Sequence, residues 1–356
     1  MPITFSPPLA DARDFPAPGL SMLPTRPGAA HGSARTAPRG AGAVVPMSLA
    51  RHALAFIGTA VLGAGCRVWL PAYHCPALVE PFIWAGCDID FYPLNADLTP
   101  ELSALTDDHR DRPAACVLVR YFGLDCAVER SAGQLRAAGY TVIEDLAHAA
   151  HAPALFGDYG VTSLWKFYPV QDGAELLIAS HLPDFDRLRA AARAWLLPPL
   201  RWQALHLKQR LGQKFGSRRP GNFRYLQEHR LRAPMSRRTA GELIRHDHGA
   251  LAARRRANFR ALSAALAGAE IGTPLFGELG ESEVPYIFPL LLHDNDGFGQ
   301  LRNAGIPLYR WEELAASGCA VSRRYRSRLV QLPCHQDLTA ANMAFLINSC
   351  GGKART

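Results

Sequence analysis

The chain predicts an α/β protein, with a mainly parallel central sheet covered by helices on both faces and a smaller C-terminal α+β unit. Three observations carry this prediction. Between residues 48 and 178, short β-favouring runs alternate with helix-favouring stretches, the pattern of βαβ units. The run 115–119 is apolar throughout, and Tyr140, Thr141, Val142 and Ile143 lead straight into Glu144 and Asp145. Both read as strands buried on two faces. Beyond residue 232 the order changes to a long helical stretch, one strand and two shorter helices.

Residues 1–45 are rich in Pro, Ala, Gly and Ser and predict an extended arm suited to lie across a partner subunit. A helix over 48–62 is stopped by Gly63, Ala64 and Gly65. The strand 66–70 ends at Pro71, which has no N–H to give a ladder, and 75–84 suits a helix. Strands at 89–92 and 115–119 and a helix at 129–138 follow. Three more strands are predicted at 141–143, 160–164 and 175–178, then a helix-rich, Arg-rich connector over 182–232. The second unit has a long helical stretch over 238–266 and a strand at 286–292. A helix at 297–303 ends at Gly305, as helices commonly do, and a last one covers 338–347. These readings divide the chain into an arm (1–45), a large α/β domain with its connector (46–232) and a small domain (233–356).

Composition narrows the partners. The net charge is +8, but the arginines are scattered over several helices and match no nucleic-acid module. The charge therefore favours phosphate-bearing small ligands over nucleic acid. No run of about 18 apolar residues predicts a membrane-spanning helix, and no basic-then-apolar leader predicts secretion. The eight cysteines form no C-x-x-C pair. They read as reduced thiols of a cytoplasmic protein, with neither a disulfide framework nor a metal site expected.

The chain holds only four lysines, Lys166, Lys208, Lys214 and Lys353, against 39 Lys and Arg together. Arginine stays protonated, whereas a lysine amine can lose its proton and attack a carbonyl. Lys166 stands between Trp165 and Phe167, in an apolar, aromatic segment. A lysine that merely snorkels from a strand end would look the same. Asp145 ends its strand on the side where open α/β sheets bind ligands, although an acid there also suits a helix cap.

The order of motifs is more specific than any one of them. The run from Arg67 through Pro71, Ala72, Tyr73, His74 and Cys75 is followed by Ala85-Gly86, the strand 88–92, and Val119 to Gly123. Then come Val142 to His148, and Lys166 with Asp172-Gly173. Together they resemble the DegT/StrS family of sugar aminotransferases, fold-type I enzymes that use pyridoxal phosphate. Asn303 to Pro307 and Leu332 to Thr339 resemble that family's C-terminal segments, so the likeness spans roughly residues 46–350.

The resemblance implies that Lys166 bonds the cofactor covalently and later carries the proton between carbon centres. Asp145 would keep the pyridine nitrogen protonated and His148 would sit beside the ring oxygen. Ser163, three residues before the lysine, would help hold the phosphate, as in class V relatives of the fold. Arg51 stands where the family has a Ser-Gly-Thr phosphate turn and would replace it as the anion contact. The usual stacking aromatic falls on Cys75, which leaves Tyr73 or His74 for that role. Gly221, Asn222, Phe223 and Arg224 look like the family's Gly-Tyr-Asn-Tyr-Arg segment. Its asparagine would reach a neighbour's phosphate, and that implies a homodimer.

The implied reaction is transfer of an amino group from glutamate to a nucleotide-linked keto-sugar, in polysaccharide or glycoside synthesis. A class V-like lyase or desulfurase using Cys319 is the alternative, as is an inactive fold-type I protein. The inactive reading follows if the motif is anchored on Ser163, because Tyr168 then takes the lysine's place.

Overall fold

A computed structural model describes residues 3–29, 32, 35–105, 113–197 and 223–352. Its centre is a seven-stranded sheet in the order β1-β7-β6-β5-β4-β2-β3. The strands are β1 (Ala41–Met47), β2 (Arg67–Pro71), β3 (Asp88–Tyr92), β4 (Ala114–Val119), β5 (Thr141–Leu146), β6 (Tyr159–Thr162) and β7 (Ala174–Ala179). Strands β3, β2, β4, β5 and β6 run parallel, while β7 is antiparallel to both β6 and β1. Every residue of β4 is buried, which explains why its sequence shows no alternation.

The helices are α1 (Ala50–Phe56), continued by a π turn over Ile57–Leu62, then α2 (Pro76–Trp84), α3 (Val128–Ala137) and α4 (Phe185–Trp195). The second unit contains α5 (Arg237–Leu243), α6 (His248–Leu266), α7 (Gly297–Asn303), α8 (Ala320–Arg328) and α9 (Ala340–Ser349). These accompany a three-stranded antiparallel sheet, β10-β9-β8, of β8 (Gly272–Pro274), β9 (Ile287–Leu292) and β10 (Leu329–Pro333). No helix among the described residues is long and apolar enough to cross a membrane.

Two expectations change. The arm predicted over 1–45 gives up its last residues to β1, an edge strand whose Gly42 and Pro46 hide it in the sequence. The described part of the arm lies on its own chain: Phe5 bridges Ala315, and the N–H groups of Thr25 and Arg26 reach Asp337 at 2.7 and 2.8 Å. The long helical stretch predicted over 238–266 is two helices. Asp247 divides them, because its side chain accepts from the Ala250 N–H at 2.9 Å and starts α6 as an N-cap.

The chain passes from β2 to β3 on one side and returns to β4 on the other. The crevice between the loops that follow β2 and β4 is therefore a topological switch point, where such sheets bind ligands.

Candidate active site

A cavity of about 380 Å³ opens at that switch point, within the size range of small-molecule sites. Strand ends supply its floor: His74 and Cys75 after β2, Val119 from β4, Asp145 from β5, and Ser163 with Lys166 after β6. Arg51 enters from α1, and Tyr286, Tyr309, Trp311 and Gln331 come from the second unit. Asp145 is the sole carboxylate among these lining residues. A larger depression of about 490 Å³ lies between the N-terminal arm and α7 and contains no lysine.

The backbone around Lys166 is fixed from outside the sheet. Gln336 donates to the Phe167 carbonyl at 3.0 Å, and Arg255 reaches the Lys166 carbonyl at 3.4 Å. Fully buried Arg255 also donates to the carbonyls of Pro285 and Tyr286 at 3.1 and 2.9 Å. One guanidinium thus ties the lysine turn to the segment carrying Tyr286. The lysine amine itself makes no hydrogen bond or ion pair among the described residues. It sits 5.3 Å from the ring centre of Tyr286 and 5.9 Å from that of Trp165.

Burial pushes the Lys166 amine below its usual range, Cys75 and Asp145 oppose this, and Arg51 adds to it. For Asp145, burial raises the carboxyl, while Lys166 and the Ala147 N–H lower it. That N–H, at 2.8 Å, is the one donor to the Asp145 carboxylate among the described residues. Burial, with a smaller push from Lys166, holds His148 well below the usual imidazole range, so the ring is neutral. Its Nδ1 accepts from the Phe122 N–H at 3.2 Å, so the proton resides on Nε2. Phe122 stacks on that imidazole at 5.7 Å, and its backbone is left-handed at φ 61°, a strained geometry for a phenylalanine. The next residue, Gly123, lies at φ +100°, where an added Cβ would fall 2.3 Å from the Val284 carbonyl. Glycine is required there.

The cavity thus brings together Lys166, Asp145, His148, Ser163, Arg51 and His74. Arg51 also donates to the Tyr225 carbonyl. Tyr73 is a correction: it is fully buried among Tyr121, Trp311 and Tyr325 and does not line the cavity. Pro71 ends β2 two residues earlier, and the turn that follows sends the Tyr73 ring into the core. His74 lines the cavity, but its ring already stacks on Phe91 at 5.0 Å and accepts from the Ala315 N–H. Aromatic walls come from Trp165, Tyr286 and Trp311 instead. Asn222 lies outside the described residues. Tyr225, close behind it, lines the same chain's cavity, and buried Glu80 accepts from the N–H groups of Arg224, Tyr225 and Leu226 at 2.7–3.1 Å.

Two alternatives lose support. Tyr168 does not line the cavity, and its hydroxyl contacts His151 and His248 at 3.0 and 2.9 Å. Cys319 is buried at the start of α8, where its sulfur accepts from the Ser322 N–H at 3.4 Å. A desulfurase needs an exposed, mobile thiol, and this one is neither exposed nor on the cavity.

No protein-family model matches this sequence, and no curated protein matches it. Solved structures do. Spr1654 of Streptococcus pneumoniae, solved in its PMP form, matches at 15% identity and a TM-score of 0.67, over 92% of this chain and 96% of that one. A DegT DnrJ EryC1 StrS aminotransferase from Brucella abortus matches at 20% identity and 0.62, over 87% and 86%. The fold is that of the sugar aminotransferases. PseC of Helicobacter pylori, an aminotransferase in pseudoaminic acid biosynthesis, shares this fold at 14% identity and a TM-score of 0.63, over 87% and 86%.

Proposed function

We propose that this protein is a pyridoxal-phosphate-dependent aminotransferase that moves an amino group from glutamate to a nucleotide-linked keto-sugar. One observation carries the reading. The Lys166 amine, the second oxygen of Asp145, the His148 Nε2–H and the Ser163 hydroxyl have no hydrogen-bond partner among the described residues, yet all four residues line one cavity. Each offers an uncommitted polar atom in a residue that lines the cavity, so the set fits a polar, polyfunctional guest. An amine, a carboxylate, a neutral N–H donor and a hydroxyl with Arg51 suit the aldehyde, ring nitrogen, ring oxygen and phosphate of pyridoxal phosphate in turn.

The cofactor, when bound, supplies an aldehyde for amine exchange and a ring that accepts electrons. The chain's own residues do the rest. Lys166 Nζ attaches the cofactor, favoured because burial lets the amine shed its proton more readily. The same Nζ, when free, would be placed to carry a proton between carbon atoms. Asp145 would keep a proton on the ring nitrogen, and His148 would donate from Nε2 to the ring oxygen. Ser163 and Arg51 hold the phosphate, the arginine through charge-assisted bonds. A homodimer and a cytoplasmic setting belong to the same proposal. The dimer rests on the Asn222 resemblance and the setting on eight free thiols.

The test is a single half-reaction. Glutamate added to cofactor-loaded protein should convert the cofactor to its amino form and release 2-oxoglutarate, with no second substrate present. If glutamate, glutamine and other common amino acids all leave the cofactor spectrum untouched, the proposal fails.

A further inference from the structure

The cavity has a second polar wall that the cofactor-holding groups do not use. An antiparallel bridge joins Tyr309 to Gln331, with Tyr309 N–H donating to the Gln331 carbonyl at 3.3 Å and Gln331 N–H returning the bond at 2.8 Å. Residues paired in this way send their side chains to the same face, and both line the cavity. They stand at different depths, since Tyr309 is 44% exposed at the mouth and Gln331 only 1%.

The Gln331 amide is uncommitted. Its Nε2 is buried without a hydrogen-bond partner, and its Oε1 accepts no hydrogen bond among the described residues. The other residues of β10 are Leu329, Val330, Leu332 and Pro333, all buried and apolar. Packing alone would favour another apolar side chain, because a buried amide left unpaired destabilises the fold. On the same wall stand Trp311 and Tyr286. Tyr286 is 3% exposed, and its hydroxyl makes no hydrogen bond among the described residues. No carboxylate lines this wall.

We infer that Gln331, with the hydroxyls of Tyr286 and Tyr309, forms a subsite that reads a hydroxyl of the amino-group acceptor. The subsite thereby selects polyhydroxylated acceptors over plain keto acids. This rests on the aminotransferase reading. A neutral amide offers both a donor and an acceptor, and a hydroxyl complements both, whereas a carboxylate can only accept. The aromatic bodies of Trp311 and Tyr309 provide apolar surface for the C–H faces of a sugar ring. A site built to bond a hydroxyl rejects analogues that lack it, because its own buried polar groups are then left unpaired.

The experiment starts from protein converted by glutamate to the amino form of the cofactor. Return of the original spectrum is followed with three acceptors: a UDP-linked 4-keto-6-deoxyhexose, its 3-deoxy analogue, and 2-oxoglutarate. The wild-type protein should prefer the hydroxylated hexose to the deoxy analogue by about tenfold or more in kcat/KM. Gln331→Met should remove most of that preference, chiefly through KM, and should lower the hexose/2-oxoglutarate ratio by a similar factor. Equal losses for all three acceptors, no preference in the wild type, or no return with either hexose would overturn the inference. If the variant does not fold, the wild-type comparison of the two hexoses decides alone. If neither glutamate nor any other common amino acid converts the cofactor, the aminotransferase reading falls separately. The subsite is then judged by calorimetric binding of the two UDP-hexoses to cofactor-loaded wild-type and Gln331→Met protein, where the same preference is expected.

Discussion

Glu144 and Asp145 are adjacent carboxylates on one strand, and they have opposite fates. Successive strand residues face opposite sides of a sheet, so β5 sends one acid into the core and the other toward the cavity. Glu144 is fully buried and saturated. Arg120 reaches it through Nε at 3.0 Å and through its terminal nitrogen at 2.9 Å, and the N–H groups of Phe156 and Gly157 bond its other oxygen at 2.5 and 2.6 Å. Asp145 is half-buried, and its carboxylate has one donor among the described residues. The difference teaches how to tell a structural charge from a functional one. Burial is common to both, but only Asp145, the acid proposed to meet the cofactor, keeps bonding capacity in reserve.

Substitution should separate the two acids, and the largest effect belongs to the saturated one. Glu144→Ala strands the buried Arg120 guanidinium and should lower the unfolding free energy by about 3–5 kcal/mol, the usual cost of breaking a buried pair. Chemical denaturation measures this. Asp145→Ala in the same assay should cost little, and an equal loss in both variants would erase the distinction.

Acid provides the next contrast, because a neutral ring buried away from water resists protonation. Burial lowers His74 to about 4, although its bond to the Cys75 backbone opposes this. An unfolded chain takes up that proton near pH 6.5 and the folded one near pH 4, so stability should fall as pH drops through this window. The loss from this one imidazole is of order 2–3 kcal/mol by pH 4. A His74→Gln variant should show a shallower acid limb, and an unchanged limb would count against a neutral buried ring.

Catalysis reads the other side of the comparison. Asp145→Asn should retain the fold and bound cofactor but lose about 10²-fold in turnover, the scale of removing a positioned electrostatic partner. Near-normal turnover would deny Asp145 its role.

Much of this was legible in the sequence. Strands β4 and β5 and helices α2, α3 and α7 follow from apolar runs and their Gly and Pro stops. Lys166 and Asp145 stood out from composition and strand ends, whereas His148, Ser163 and Arg51 were named only through the family resemblance; all five line one cavity. Strand β1 escaped because Gly42 and Pro46 blur an edge strand. Helix α8 escaped because it is mostly Arg and Ser, with only Ser322 and Tyr325 buried. The second wall was invisible for a deeper reason. Trp311, Tyr286 and Gln331 sit in no local motif, and a lone glutamine in an apolar strand gains meaning only when its amide is seen without a partner. Tyr73 failed because a motif fixes a position in the chain but not the direction of a side chain after a turn.

The central claim is that Lys166 is the residue that bonds the cofactor, and one measurement addresses it directly. Protein loaded with pyridoxal phosphate is reduced with borohydride, digested and mapped by mass spectrometry. The account predicts a single stable adduct on the peptide containing Lys166, absent from Lys166→Ala protein that still folds. An adduct on Lys208 or Lys214, or none at all, would contradict it.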